Sequence, residues 1–163
     1  MAVVTIVGVL AVLAIAAYRR YSAHAKTAEV PTMFMNIKIA QETYKDETFR
    51  YASPSKTIDE YYPNNTLPGT QKMNFAGDES GLGKGWKELA VETNGPVLFV
   101  YACTAGENGP PTPLGKGITV TNWPSNIDGQ WYVVKAKADI YGSGVDTVFA
   151  SGSFTGDLFS AND

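Results

Sequence analysis

The chain has one cysteine, Cys103, and one histidine, His24, among its 163 residues. A single thiol closes no intrachain disulfide, so cysteine usage is silent on redox compartment. A single imidazole excludes multi-histidine metal sites and weighs against most histidine-based catalysis. Basic clusters are scarce too: Arg19-Arg20 is the only adjacent basic pair, and the formal net charge is −3. Neutralising phosphates takes clustered Lys and Arg, so no nucleic-acid groove is expected.

Phosphate loops are also missing. Gly83-Lys84-Gly85 and Gly115-Lys116-Gly117 have the right residue types, but a P-loop needs a glycine five residues before its Gly-Lys pair and Ser or Thr after it. Asp78 and Gly85 occupy those positions around the first pair, and both segments read as turns. No nucleophile with a positioned base, and no paired carboxylates, stand at a recognisable spacing. An enzyme is not expected, nor a cofactor.

Charge is absent altogether from Met1 to Tyr18, where all but Thr5 and Gly8 are hydrophobic. As a helix these residues span about 27 Å, close to a hydrocarbon core of roughly 30 Å. A membrane-inserted helix is the first expectation. A secretory signal peptide normally opens with a basic region, which this run lacks, and a buried core helix needs more cover than so small a chain provides. Arg19, Arg20 and Lys26 follow the run, which by the positive-inside rule alone puts the remainder in the cytoplasm.

Breakers are missing from the middle. Of 16 glycines only Gly8 precedes Glu60, and of nine prolines only Pro31 and Pro54 do. Val30, Met33, Phe34, Ile37, Ala40 and Tyr44 recur at spacings of three and four, one apolar stripe of a helix. Lys38 and Glu42 lie i,i+4 on the polar side. Pro31 should kink the rod, and Ser53-Pro54-Ser55 should stop it near Ala52. The expected organisation is an N-terminal helix over 1–52, apolar over 1–18 and amphipathic over 19–52, followed by a head over 53–163. Such a helix is about 75 Å long.

The head is rich in turns. Pro96–Cys103, Gln130–Ala138 and Asp146–Ser151 read as strands, with Lys135 and Lys137 alternating outward. A short fourth strand is expected near Phe154 or Leu158-Phe159. The short glycine-rich link over 139–144 predicts antiparallel pairing, and no helical period alternates with the strands. The fold class is α+β.

A long helix, apolar then amphipathic, ahead of a small antiparallel sheet resembles a type IV pilin. Residues 1–16, with Gly8-x-Leu10-Ala11, look like the core of the pilin signature. Ala17 to Glu29 is similar to the family's tyrosine-containing, basic, then acidic continuation. Ala40-Gln41-Glu42-Thr43-Tyr44 and Tyr51 look like pilins of delta-proteobacterial type, in which Trp86-Lys87-Glu88-Leu89 and Gly95-Pro96-Val97 also have counterparts. The resemblance covers the first 52 residues well and the head loosely.

The resemblance implies a structural subunit of a type IV pilus in a Gram-negative bacterium, held in the inner membrane and then drawn into an extracellular filament. A minor pilin and a type II secretion pseudopilin share the pattern; a single-span membrane-anchored periplasmic domain is the plainer alternative. The implied partners are copies of the chain itself, the lipid bilayer before assembly, the inner-membrane assembly machinery and the prepilin peptidase. Val4, Val7, Gly8, Leu10, Leu13 and Ile15 would pack the filament core, with Gly8 permitting close backbone approach. Val30, Phe34, Ile37 and Tyr44 would pack the helix on the head.

In the family a basic leader is cleaved and a glutamate lies two residues before the position of Met1. Met1 is therefore expected to be an internal methionine, and an upstream basic leader would reverse the orientation rule. The family's helix-breaking proline falls at Ala16, and its C-terminal disulfide needs a second cysteine. Pseudopilin heads sometimes hold calcium, which makes Asp139 and Asp146 weak candidates, although the EF-hand pattern is absent and a plain hairpin explains both. Asn64-Asn65-Thr66 fits a glycosylation sequon.

Overall fold

A computed structural model describes residues 2–64, 71–79 and 81–162 of the chain. Two helices in line form the rod, α1 over Ala2–Thr27 and α2 over Glu29–Thr48. Ala28 between them keeps right-handed helical angles, φ −61° and ψ −17°, so the interruption is one residue long. It falls three residues before Pro31, the expected kink. Pro31 has no N–H for the Thr27 carbonyl, and its ring crowds that same group. The ladder therefore opens just upstream, and Pro31 sits in the first turn of α2, where a missing donor costs least.

The rod stops at Thr48, four residues before the expected Ala52. Phe49 takes a left-handed conformation, and its N–H donates to the Lys45 carbonyl at 2.7 Å. Thr48 Oγ1 donates back to the Tyr44 carbonyl at 2.7 Å, which helps close the last turn.

A third helix, α3 over Gly81–Leu89, was not legible in the periodicity. It contains Gly83-Lys84-Gly85, which is helical and not the expected turn. A Cβ at Gly85 would lie 2.7 Å from the Pro54 Cα, and one at Gly83 would lie 2.2 Å from Asp78 Oδ1. The glycines are there for close approach, at the expense of helix propensity.

Four strands form a meander in the order β1-β2-β3-β4, every neighbour antiparallel. They are β1 over Val100–Gly109, β2 over Ile127–Ala138, β3 over Thr147–Gly152 and β4 over Phe159–Ala161. The architecture is thus α+β, a long N-terminal helix on a small antiparallel sheet, a form compatible with a pilin-like fold. Strand β1 starts after the expected Pro96 and runs on past Cys103. Its outer edge is covered by the chain leaving the rod: Ser55 N donates to the Cys103 carbonyl at 3.0 Å, and Tyr62 and Tyr101 exchange two bonds of 2.8 Å. A covered edge offers no template for further strands.

The sheet is buried on both faces. One face, with Tyr101, Cys103, Tyr132, Val134, Ala136 and Phe149, meets α2 and α3 through Val30, Met33, Ile37, Trp86 and Leu89. The other, with Val100, Ala102, Trp131, Val133 and Val148, is covered by Ile58, Tyr61, Leu114 and Ile118. This corrects the expectation for Lys135 and Lys137. They do share a face, but loops cover it, and Lys135 is fully buried.

Candidate functional site

The rod has two sides, and its chemistry divides between them. On the head side, contact begins near Ala23, the one residue of α1 that is buried, and Lys26 Nζ donates to the Ile140 carbonyl at 2.7 Å. Val30 and Ile37 are buried in the core beneath the sheet, and Phe34 and Tyr44 pack against it half-buried. Phe34 meets Tyr101 edge-on at 6.3 Å between ring centroids. Pro31 itself is exposed.

Two polar residues fix the rod's register on the sheet. The Glu29 carboxylate accepts from Leu98 N–H at 2.9 Å, from Phe99 N–H at 3.1 Å and from the Tyr101 hydroxyl at 3.0 Å. It stands in the first turn of α2, where the helix dipole also favours an acid. Gln41 is fully buried: its amide donates to the Ala52 carbonyl at 2.8 Å and to Cys103 Sγ at 3.1 Å, and accepts from Ala52 N–H at 2.9 Å. Burial pushes the Cys103 thiol up to about 12. Sequence reading missed both roles. The available signal was Gln41 itself, a polar residue four after Ile37 and three before Tyr44, on the apolar stripe.

On the other side the rod is bare. Val4, Val7, Leu10, Leu13 and Ile15 are exposed, and a Cβ added at Gly8 would meet nothing within 4 Å beyond its own helical turn among the described residues. The bareness does not stop where the charges begin. Tyr18 and Tyr21 are exposed, and on α2 so are Met35, at 57%, and Ile39, at 58%. Val3, Val7, Leu10, Ala14, Tyr18, Tyr21, Ala25, Ala28, Thr32, Met35 and Ile39 follow one another at intervals of three and four. All are exposed. Together they make one solvent-exposed stripe, apolar except at Thr32, with Met35 and Ile39 at the rims of grooves shared with the head.

In the head, Lys135 Nζ donates to Asp59 Oδ1 and to the Lys116 carbonyl, each at 2.7 Å. Burial pushes the Lys135 ammonium below its ordinary value, and Asp59 returns part of that loss. Asp59 lies nearer solvent; burial opposes its charge, but the Lys135 hydrogen bond prevails and holds its carboxyl below the ordinary value. Asp139 and Asp146 are each engaged otherwise than as metal ligands. Asp139 accepts from Gly144 N–H at 2.7 Å and Ser143 N–H at 3.0 Å, which lowers its carboxyl, and Asp146 pairs with Lys137 at 3.5 Å. Among the described residues no three His, Cys, Asp or Glu side chains gather to hold a metal ion. Of the sequon, Asn65 and Thr66 lie outside the described residues.

Set against protein-family models, curated proteins and solved structures, the chain matches none.

Proposed function

We propose that the chain is the structural subunit of a type IV pilus, without enzymatic activity, which polymerises through its N-terminal helix. The observation that carries this reading is the length of the exposed apolar stripe. From Val3 to Ile39 it spans 37 residues, about 54 Å by helical rise, against a hydrocarbon core of roughly 30 Å. Lipid covers one end or the other and never both. A single-span anchor has no use for Met35 and Ile39 on its outer face beyond the membrane, whereas a bundle of sister rods buries the whole stripe.

Before assembly the bilayer takes the uncharged part, Ala2 to Tyr18, with Tyr18, Tyr21, Arg19 and Arg20 at its boundary. On assembly, contacts among Val4, Val7, Leu10, Leu13 and Ile15 of neighbouring copies replace contacts with lipid. Gly8, with open space where a Cβ would stand among the described residues, lets two rods approach closely. This reading entails the inner-membrane assembly machinery and the prepilin peptidase as partners, and an extracellular filament outside a Gram-negative envelope as the final location.

The test is expression of the full-length gene product in cells carrying a type IV pilus assembly system. Thin filaments containing the chain are expected, and Val7→Asp or Leu10→Asp should abolish them while the head still folds. Dispersed, membrane-bound monomers of the unsubstituted chain would overturn the reading.

A further inference from the structure

Among the described residues the Phe49 ring stacks on no other ring. The residue is 83% exposed. The backbone sits at φ 60°, where glycine or asparagine is ordinary and a bulky aromatic is costly. The backbone groups are in use: the N–H closes α2 onto Lys45, and the carbonyl accepts from Gln130 Nε2 at 2.6 Å. A glycine would serve both bonds without strain. One exposed ring is ordinary by itself, but an aromatic kept on a strained backbone where glycine would serve points to a role outside its own fold.

A fitting socket lies on the same molecule. Pro31, Phe34 and Met35 of α2 face Tyr132 and Val134 of β2, and Leu158 just before β4, across an open groove of about 220 Å³. An apolar space of about 150 Å³ is enough to hold a benzene ring. Both features carry charge of both signs. Lys38 and Asp157 stand at the groove; Asp46, Glu47 and Arg50 flank Phe49 in sequence, and all five are exposed. A second copy seated by its Phe49 can set an acid against Lys38 and Arg50 against Asp157.

The two features are also correctly placed for a repeating contact. Phe49 lies fifteen residues beyond Phe34, about 22 Å along the rod. A neighbour displaced by that distance brings its Phe49 level with the groove. Of a stripe about 54 Å long, such a stagger leaves about 30 Å of the two rods side by side. Ring and groove are different surfaces, so the contact is head-to-tail, and a displaced copy leaves its own groove open for the next. Contacts of that kind extend into filaments when they do not close.

We infer that Phe49 of one copy seats in the Phe34–Met35–Leu158 groove of the next, a contact that rests on the filament reading above and gives it a register. The experiment uses the full-length chain in cells that assemble such filaments, with single-cysteine variants Phe49→Cys and Leu158→Cys expressed separately and together. Buried Cys103 stays silent, so the unsubstituted chain should give no oxidant-dependent dimer. A dimer from the mixture alone, absent from either variant by itself, is the expected result. Phe49→Gly should leave the unfolding midpoint unchanged or raised, because the strain is relieved, and should lower filament yield at least tenfold.

Filaments without a mixed cross-link overturn the groove contact and leave the filament reading standing. Cross-linking of Phe49→Cys to itself overturns it equally, since the rings then pair with each other. If the unsubstituted chain forms no filaments, the filament reading falls; a mixed cross-link in those cells keeps the contact as a small assembly, and its absence removes both.

Discussion

Glu29 and Gln41 show how single side chains hold a rod to a sheet. The Glu29 carboxylate takes two backbone amides and a tyrosine hydroxyl from the strand side. Glu29→Gln keeps the shape but sets an NH2 against an N–H, and should cost about 1.5–3 kcal/mol by urea unfolding, as for hydrogen bonds to charged groups. Gln41→Leu leaves the Ala52 N–H and carbonyl without partners and should cost about 1–3 kcal/mol. The Asp59–Lys135 pair makes a pH prediction. The folded-state pKa of Asp59 lies below its unfolded value, so its contribution is complete above the ordinary aspartate range, near about 4, and is lost as pH falls through the lower folded value. Asp59→Asn leaves the buried ammonium its bond to the Lys116 carbonyl but removes its countercharge, and should cost about 1–3 kcal/mol at neutral pH; it should also flatten the stability profile below pH 4, which acid titration of the unfolding midpoint checks.

At the scale of elements, the periodicity of the rod was legible because one face is buried against a sheet and the spacing of three and four survives throughout. Its exact end was not. Phe49 adopts a left-handed cap without the glycine that announces one, so the stop looked four residues later, at Ala52, ahead of Ser53-Pro54-Ser55. Helix α3 was hidden by its own glycines, which answer to Asp78 and Pro54 across the fold and not to helix propensity. Gly85→Ala makes this measurable. Propensity alone predicts a gain of about 1 kcal/mol, whereas a Cβ 2.7 Å from the Pro54 Cα predicts a net loss; chemical denaturation gives the sign. Lys135 misled for a related reason: alternation along β2 identifies a face, but only the folded chain shows that the Ile58–Tyr61 and Leu114–Ile118 segments cover it.

Taken whole, the molecule is half buried and half unfinished. The head has an internal core on both faces of its sheet and a covered strand edge, while the rod exposes an apolar stripe that, among the described residues, stays open to solvent. Five of its eleven residues were legible within the eighteen uncharged residues; its extension to Met35 and Ile39 was not, because the sequence pattern there belongs equally to the face that docks on the head. Since those two side chains are already exposed, charging them should spare the monomer and act on assembly alone. The most direct measurement is electron microscopy of cells with an intact pilus machinery expressing the full-length product, unsubstituted or as Met35→Glu. The account predicts thin filaments from the unsubstituted chain and none from Met35→Glu, with both heads equally resistant to unfolding. Filaments of normal number from Met35→Glu, or unsubstituted chains found only as membrane-bound monomers, would contradict it.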